Sequence, residues 1–156
     1  MQTKMKLFAI AAALATAASL IAGGFGIEIG NPSGNPEAQA KHAVLMVRSV
    51  GCLAPDKTTF TGSAEGLING KRQTVALKLI PLKAPGSYAV TRQWPADGQW
   101  VISLTATNPG TTWHPSVLVK VNGDRFDWAG VMRFSRAPNA QEIEAALNTT
   151  MAAQAR

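Results

Sequence analysis

The stretch Leu67-Ile68-Asn69-Gly70-Lys71 decides the fold class of this chain. Asn-Gly between two strand-like runs is the strongest short signal for a β-hairpin, because both residues tolerate the positive φ angles of a type I′ turn. The run before it, residues 57–68, is rich in threonine, and the run after it, residues 71–82, alternates apolar and polar side chains. We therefore predict an antiparallel pair of strands joined at residues 69–70.

Runs of the same kind continue on both sides of this hairpin, and each is bounded by turn residues. We expect the Pro95–Gly98 turn to close another hairpin, on which Trp94 and Trp100 can meet across the strands. Pairing of these two rings in the core is favoured over a carbohydrate platform. About seven strands spaced by roughly 8–12 residues predict a mainly β protein built as a sandwich or barrel. The predicted strands cover residues 42–50, 57–68, 71–82, 86–94, 99–107, 115–121 and 124–134.

The last segment has a different pattern, which predicts a short C-terminal α-helix. Asn139 is a candidate N-cap, and Glu142 three residues later completes a capping box. Ile143, Ala146 and Leu147 then recur at helical spacing.

The first forty residues have the layout of an export signal followed by a tether. Two lysines precede an uncharged run over residues 7–27, and small residues suit cleavage after Ala17 or after Ala40. A retained N-terminal anchor is the alternative, because the run is about long enough to cross a bilayer. The Gly-, Pro- and Asn-rich segment 25–39 is expected to be flexible. The predicted organisation is signal peptide and flexible linker 1–40, β-sandwich domain 41–136, and C-terminal helix and tail 137–156.

An export signal predicts a bacterial protein that is periplasmic or secreted. The chain has fifteen Lys and Arg against nine Asp and Glu, a net charge of +6. Because these basic residues are scattered, a soluble basic protein is favoured over a nucleic-acid binder, and peripheral attraction to an anionic membrane is an alternative. The single cysteine, Cys52, has no partner for a disulfide within the chain, and the residues before it do not fit a lipoprotein signal.

The sequence contains few residues arranged for chemistry. Gly-x-Ser-x-Gly, His-Glu-x-x-His and Cys-x-x-Cys are absent from it. A lone cysteine in a β protein is usually a small hydrophobe, so we do not expect an enzyme, and a cysteine hydrolase is a distant alternative. No cofactor is expected either; the alternative is copper, which takes His, Met and Cys ligands. The candidate copper ligands are His42, Met46, Cys52 and His114.

Two further sets of residues carry hypotheses about ligands. Asp124 and Asp127 flank a predicted hairpin end and would bind Ca²⁺ only with several further oxygen ligands, so turn residues are the simpler interpretation. Trp113 lies in a predicted loop next to His114, and it is the tryptophan that we expect to contact a ligand.

One stretch resembles a recurring hairpin of known proteins. Pro85-Gly86-Ser87-Tyr88, followed by Pro95-Ala96-Asp97-Gly98-Gln99-Trp100, is similar to the pattern of small exported bacterial immunoglobulin-like domains, including the YtkA-like and FixH-like families. The resemblance covers residues 85–102 and implies an immunoglobulin-like β-sandwich. Such domains are often accessory modules of the envelope, some of them beside copper or oxidase-assembly systems. This chain lacks the clustered His and Met of a metal-handling member.

Together these patterns predict a non-catalytic exported envelope protein, an accessory or binding module for an unknown envelope protein or small ligand. The alternative function is that of a periplasmic copper-handling protein.

Overall fold

A computed structural model describes residues 24–51 and 53–154 of the chain. Here two antiparallel sheets form a β-sandwich, and a C-terminal helix covers the outer side of one of them. The predicted mainly β fold class is confirmed, whereas the immunoglobulin-like assignment stays a prediction. The predicted signal-peptide core, with the cleavage position after Ala17, and Cys52 lie outside the described residues.

The smaller sheet has four strands in the order β1-β2-β6-β5. Leu45, Val47 and Val90 point from it into the space between the sheets and are fully buried. A register shift next to Val44 interrupts the pairing of β2 with β6. The strands are β1 Gly26–Gly30, β2 Ala43–Val50, β5 Leu79–Pro81 and β6 Ser87–Thr91.

The larger sheet follows the order β10-β8-β7-β3-β4, and β9 also pairs with β8. Its inner face supplies most of the core, including Trp100, Ile102 and Leu104, all of them nearly inaccessible to solvent. Alternation along β7 places these side chains on one face, as the sequence predicts. The strands are β3 Thr59–Ile68, β4 Lys71–Ala76, β7 Gln99–Thr107, β8 Ser116–Asn122, β9 Arg125–Phe126 and β10 Met132–Phe134.

The prediction of a flexible linker over residues 25–39 is wrong. Gly26 to Gly30 pair in register with Val50 to Met46, and Ile27 lies in the core with 8 % of its surface exposed. The guanidinium of Arg133 donates a hydrogen bond of 2.9 Å to the carbonyl of Ile27. A 3-10 turn at Pro32–Gly34 and the short helix α1, Pro36–Ala40, follow. The ordered fold therefore starts before the predicted boundary at residue 41.

The local turn signals are correct in some places and misleading in others. Asn69 and Gly70 have φ angles of 50° and 74°, so the hairpin between β3 and β4 is confirmed. The predicted strand 71–82 instead divides into β4 and β5, which belong to different sheets. The Pro95–Gly98 turn likewise carries the chain from β6 in one sheet to β7 in the other. Its prediction as a hairpin is therefore wrong, although Trp94 and Trp100 are both buried core residues.

The C-terminal helix α2, Ala140–Gln154, gives the sandwich a third layer. Its N-terminus has the predicted capping box: Glu142 N donates to Asn139 Oδ1 at 2.9 Å, and Asn139 N donates to Glu142 Oε2 at 2.8 Å. Ala146 and Leu147 bury themselves against the outer face of the larger sheet, where they cover Val101 and Leu118. Val101, on the face of β7 opposite to Trp100 and Ile102, is therefore fully buried as well.

Within the described residues, no helix combines the length and the apolar composition needed to cross a membrane.

Candidate functional site

The two histidines lie at opposite ends of the sandwich. His42 immediately precedes β2, whose first residue pairs with the last residue of β6. His114 precedes β8 at the other end, where its Nδ1 lies 3.5 Å from Oγ1 of Thr107. β8 alone spans seven residues, and at about 3.3 Å per residue this separates its two ends by roughly 20 Å.

This separation limits what a copper site could contain. Zinc and copper bind nitrogen and sulfur ligands only a little over 2 Å away, so His42 and His114 cannot share one ion. Met46 lies midway along β2, and its register partner Ala89 lies in the middle of β6, away from both histidines. Among residues 24–51 and 53–154, no three His, Cys, Asp or Glu side chains group as metal ligands. Any copper site must therefore use one histidine without the other.

Trp113 lies in the loop between β7 and β8, residues 108–115, which we call the tryptophan loop. Its surface is 61 % exposed, the largest exposure among the large hydrophobic residues that the structure describes. The loop next to it is nevertheless held by internal hydrogen bonds. Thr111 N donates to the carbonyl of Asn108 at 3.2 Å, and Trp113 N donates to Thr111 Oγ1 at 3.1 Å.

A buried asparagine ties the tryptophan loop to the body of the sandwich. Only 2 % of Asn108 is exposed. Its Nδ2 donates to the carbonyl of Ala54 and to Oγ1 of Thr58, both at 2.9 Å, and its Oδ1 accepts from Gly110 N at 2.9 Å. Buried polar groups satisfied in this way fix one loop conformation, because any other would leave donors or acceptors unpaired. Trp113 is therefore presented to solvent on a rigid support.

The surface beside Trp113 combines aromatic and cationic side chains. A shallow hollow of about 590 Å³ separates the loop from the segment leading into α2. Arg136 in this segment lies over the ring of Phe134, 6.0 Å from its centroid, and forms a two-pronged ion pair with Glu142, with N–O distances of 2.7 and 2.9 Å. The hollow is lined by Thr112, Trp113, His114, Ser135, Arg136 and Ala137.

The ion pair between Arg136 and Glu142 shifts the pKa values of both groups. The hydrogen bond from Arg136, aided by the backbone N–H of Asn139, lowers the pKa of Glu142 from its ordinary value near 4.5 to about 2. The same hydrogen bond raises the pKa of Arg136. Both groups therefore stay charged near neutral pH, and the start of α2 is fixed beside the tryptophan loop.

A second aromatic surface lies at the opposite end of the sandwich and was missed by the sequence analysis. Phe126 and Trp128 stack with their centroids 5.3 Å apart and an interplanar angle of 23°. In the predicted strand 124–134, alternation would place both rings on the same face. β9 has only two residues, however, and Trp128 lies beyond it with 38 % of its surface exposed. The Asp127-x-x-Gly130 turn, in which Gly130 N donates to Asp127 Oδ1 at 2.9 Å, is the sequence signal that could have indicated this break.

These rings line a groove of about 490 Å³, which we call the aromatic groove. It spans both sheets. Arg92 at the end of β6 donates to the carbonyl of Gly123 at 2.6 Å and pairs with Asp124 Oδ1 at 2.6 Å, which joins the smaller sheet to the β8–β9 turn. The predicted interpretation of Asp124 as a turn residue is consistent with this contact. The groove is lined by Asn31, Pro32, Val44, Arg92, Asp124, Arg125, Phe126 and Trp128.

Comparisons with known proteins add no further constraint, since no protein-family model, curated protein or solved structure matches this chain.

Proposed function

We propose that this protein is a non-catalytic binding module exported to the bacterial envelope, and that the tryptophan loop is its contact surface for a partner protein. The observation that carries the proposal is the 61 % exposure of Trp113 on a loop held by buried hydrogen bonds. Leaving a large apolar ring in water is unfavourable, and burying it against a partner recovers that free energy. A rigid support also lowers the entropy lost on binding.

The composition of this surface favours a protein partner over a small ligand. Tryptophan and arginine are the residues most enriched among binding hot spots, and Trp113 and Arg136 line the same hollow. The immunoglobulin-like class of the sandwich, implied by the resemblance over residues 85–102, belongs to the same proposal.

Site-specific photo-crosslinking in the native cell tests this function. Benzoylphenylalanine replaces Trp113 in one variant and Gln73, an exposed residue of β4, in a control variant. We expect an adduct with one envelope protein from position 113 and none from position 73. With the identified partner purified, Trp113→Ala is expected to weaken binding at least tenfold, while Trp128→Ala binds as the unaltered chain does. Equal adducts from both positions, or unchanged affinity of Trp113→Ala, would refute the proposal.

Export is the second part of the proposal, and β1 favours one cleavage position over the other. Cleavage after Ala40 would remove β1, with its register to β2 and the buried side chain of Ile27. Cleavage after Ala17 would leave these contacts intact. N-terminal sequencing of the protein from the periplasmic or culture fraction is expected to give a start near residue 18. A mature protein that starts at Lys41, or that stays in the cytoplasmic fraction, would contradict this expectation.

A further inference from the structure

We propose that the aromatic groove is a carbohydrate-binding site, in which a pyranose ring packs on Trp128 while its hydroxyl groups contact Asp124 and Arg125. This site lies at the opposite end of the sandwich from the tryptophan loop and does not depend on the function proposed for that loop.

The apolar part of the site is the stacked pair of rings. Phe126 supports Trp128 from one side, at a centroid distance of 5.3 Å, so the orientation of the indole is set before a ligand arrives. The indole remains 38 % exposed on the side of the groove. The face of an aromatic ring is electron-rich, and the C–H bonds on one face of a pyranose ring carry partial positive charge. A sugar ring therefore gains both apolar burial and electrostatic attraction on Trp128.

The polar part of the site matches hydroxyl groups. Asp124 has a side chain that is 91 % exposed, and Arg92 pairs with its Oδ1, so its Oδ2 can still accept a hydrogen bond from a ligand. Arg125, the next residue, is exposed and carries a guanidinium with several donors. Adjacent sugar hydroxyls both donate and accept, so a neighbouring carboxylate and guanidinium can bind two of them.

The charges of the groove distinguish a sugar from a phosphate or a nucleic acid. Two arginines and one aspartate line it, and Arg92 is already engaged with Asp124 and with the carbonyl of Gly123. The exposed carboxylate of Asp124 repels phosphate groups, whose binding requires an excess of donors and cations. A neutral sugar meets no such penalty, and a sugar acid meets a smaller one than a phosphate, because each carboxylate carries a single charge that the guanidinium of Arg125 can pair. The groove volume of about 490 Å³ lies in the range of small-ligand sites.

The experiment is an NMR titration of the ¹⁵N-labelled chain that follows the indole N–H signals of its tryptophans. The probes are the tetramer of N-acetylglucosamine, which is neutral, and the trimer of galacturonic acid, which carries carboxylates, each up to about 10 mM. We expect at least one probe to give a saturable shift of the Trp128 signal with a millimolar or tighter Kd, and no shift of the Trp113 signal.

Variants assign the site and control for folding. Trp128→Ala is expected to weaken binding at least tenfold, Asp124→Asn and Arg125→Ala each about threefold or more, and Trp113→Ala less than twofold. Asp124 in the turn and Arg125 at the start of β9 are both exposed, so these variants report on binding even if Trp128→Ala does not fold. The proposal is overturned if neither sugar shifts the Trp128 signal saturably, if the shifts occur at Trp113, or if Asp124→Asn and Arg125→Ala bind like the unaltered chain.

Discussion

The two ends of the sandwich each expose a tryptophan, but they hold it by different physical means. At the end with the tryptophan loop, buried hydrogen bonds of Asn108 fix the backbone, and Trp113 projects from it with no stacking partner among the described rings. At the end with the aromatic groove, an ion pair joins Arg92 to Asp124, whose side chain is 91 % exposed, and Trp128 rests on Phe126. The first arrangement fixes the backbone of the loop that carries Trp113, whereas the second fixes the orientation of the Trp128 ring.

The two surfaces are therefore stabilised by interactions of different strength. Buried hydrogen bonds are costly to break, because the groups left behind lose their hydration as well as their partners. Exposed ion pairs contribute little, since water and salt screen them. Substitutions at the end with the tryptophan loop should therefore destabilise the whole domain, and those at the end with the aromatic groove should change the local surface instead.

One glycine at each end tests this comparison with the same substitution. Gly86 and Gly123 have φ angles of 66° and 58°, which cost a residue with a side chain about 1–2 kcal/mol. A Cβ at Gly86 would also lie 2.6 Å from the carbonyl of Pro55, whereas nothing lies within 4 Å of one at Gly123. We expect Gly86→Ala to lower the free energy of unfolding by about 3 kcal/mol and Gly123→Ala by about 1 kcal/mol. Urea unfolding measures both, and equal losses would remove the distinction between the two ends.

Removal of the buried amide at the end with the tryptophan loop should have the next largest effect. Asn108→Ala deletes three hydrogen bonds and leaves the carbonyl of Ala54 without its donor. We expect the free energy of unfolding to fall by about 2 kcal/mol and the amide of Trp113 to exchange faster with solvent. Asn122→Ala, at the exposed last residue of β8, is the control and should cost less than about 0.5 kcal/mol. Unchanged exchange at Trp113 would show that Asn108 does not fix the loop.

The corresponding substitution at the end with the aromatic groove should lower the free energy of unfolding by a smaller amount. Arg92→Ala removes the ion pair with Asp124 and the hydrogen bond to the carbonyl of Gly123. Since Asp124 is largely in water, we expect a loss of about 1 kcal/mol in the free energy of unfolding, measured by the same urea titration. Arg125→Ala is the matched control, because it removes a neighbouring exposed arginine, and it should have almost no effect. If Arg92→Ala lowered the free energy of unfolding more than Asn108→Ala does, the end with the aromatic groove would be the one that stabilises the domain more, contrary to this expectation.

Acid should weaken the start of α2 beside the tryptophan loop. The pKa of Glu142 is about 2 in the folded protein against an ordinary value near 4.5. Its charged form therefore stabilises the fold above pH 4.5, and this contribution is lost as the pH falls toward 2. We expect the amides of Glu142 and Ile143 to exchange progressively faster over this range, relative to the intrinsic rate at each pH. Glu142→Gln should flatten this pH dependence, and an unchanged profile in that variant would assign the effect to another group.

The sequence predicts features that are decided within a few residues. The turn at Asn69-Gly70 and the capping box of Asn139 and Glu142 are such features, because the interacting groups are neighbours along the chain. The predicted loop position of Trp113, between Gly110 and Pro115, is such a feature as well.

Features decided by distant partners could not be predicted in this way. The Gly26–Gly30 segment is short and contains two glycines, so it becomes a strand only through pairing with β2. The Pro95–Gly98 turn has the chemistry of a hairpin, but turn residues do not specify whether the next strand joins the same sheet. The aromatic groove was missed for the same reason, since it forms only where β9 ends opposite Pro32 of the 3-10 turn and Val44 of the smaller sheet.

The placement of β1 has a mechanical consequence. The chain reaches β1 at Gly26, which pairs with Val50 at the end that carries the tryptophan loop, and β1 runs from there toward the aromatic groove. If the N-terminal segment tethers the protein to a membrane, a ligand held in the groove pulls along the axis of β1. The backbone hydrogen bonds between β1 and β2 are then loaded in parallel, in shear geometry. The pair of strands therefore resists the force. A partner on the tryptophan loop pulls at the same end as the tether instead, so the force falls first on the pair Gly26 and Val50 and separates β1 from β2 one residue pair at a time.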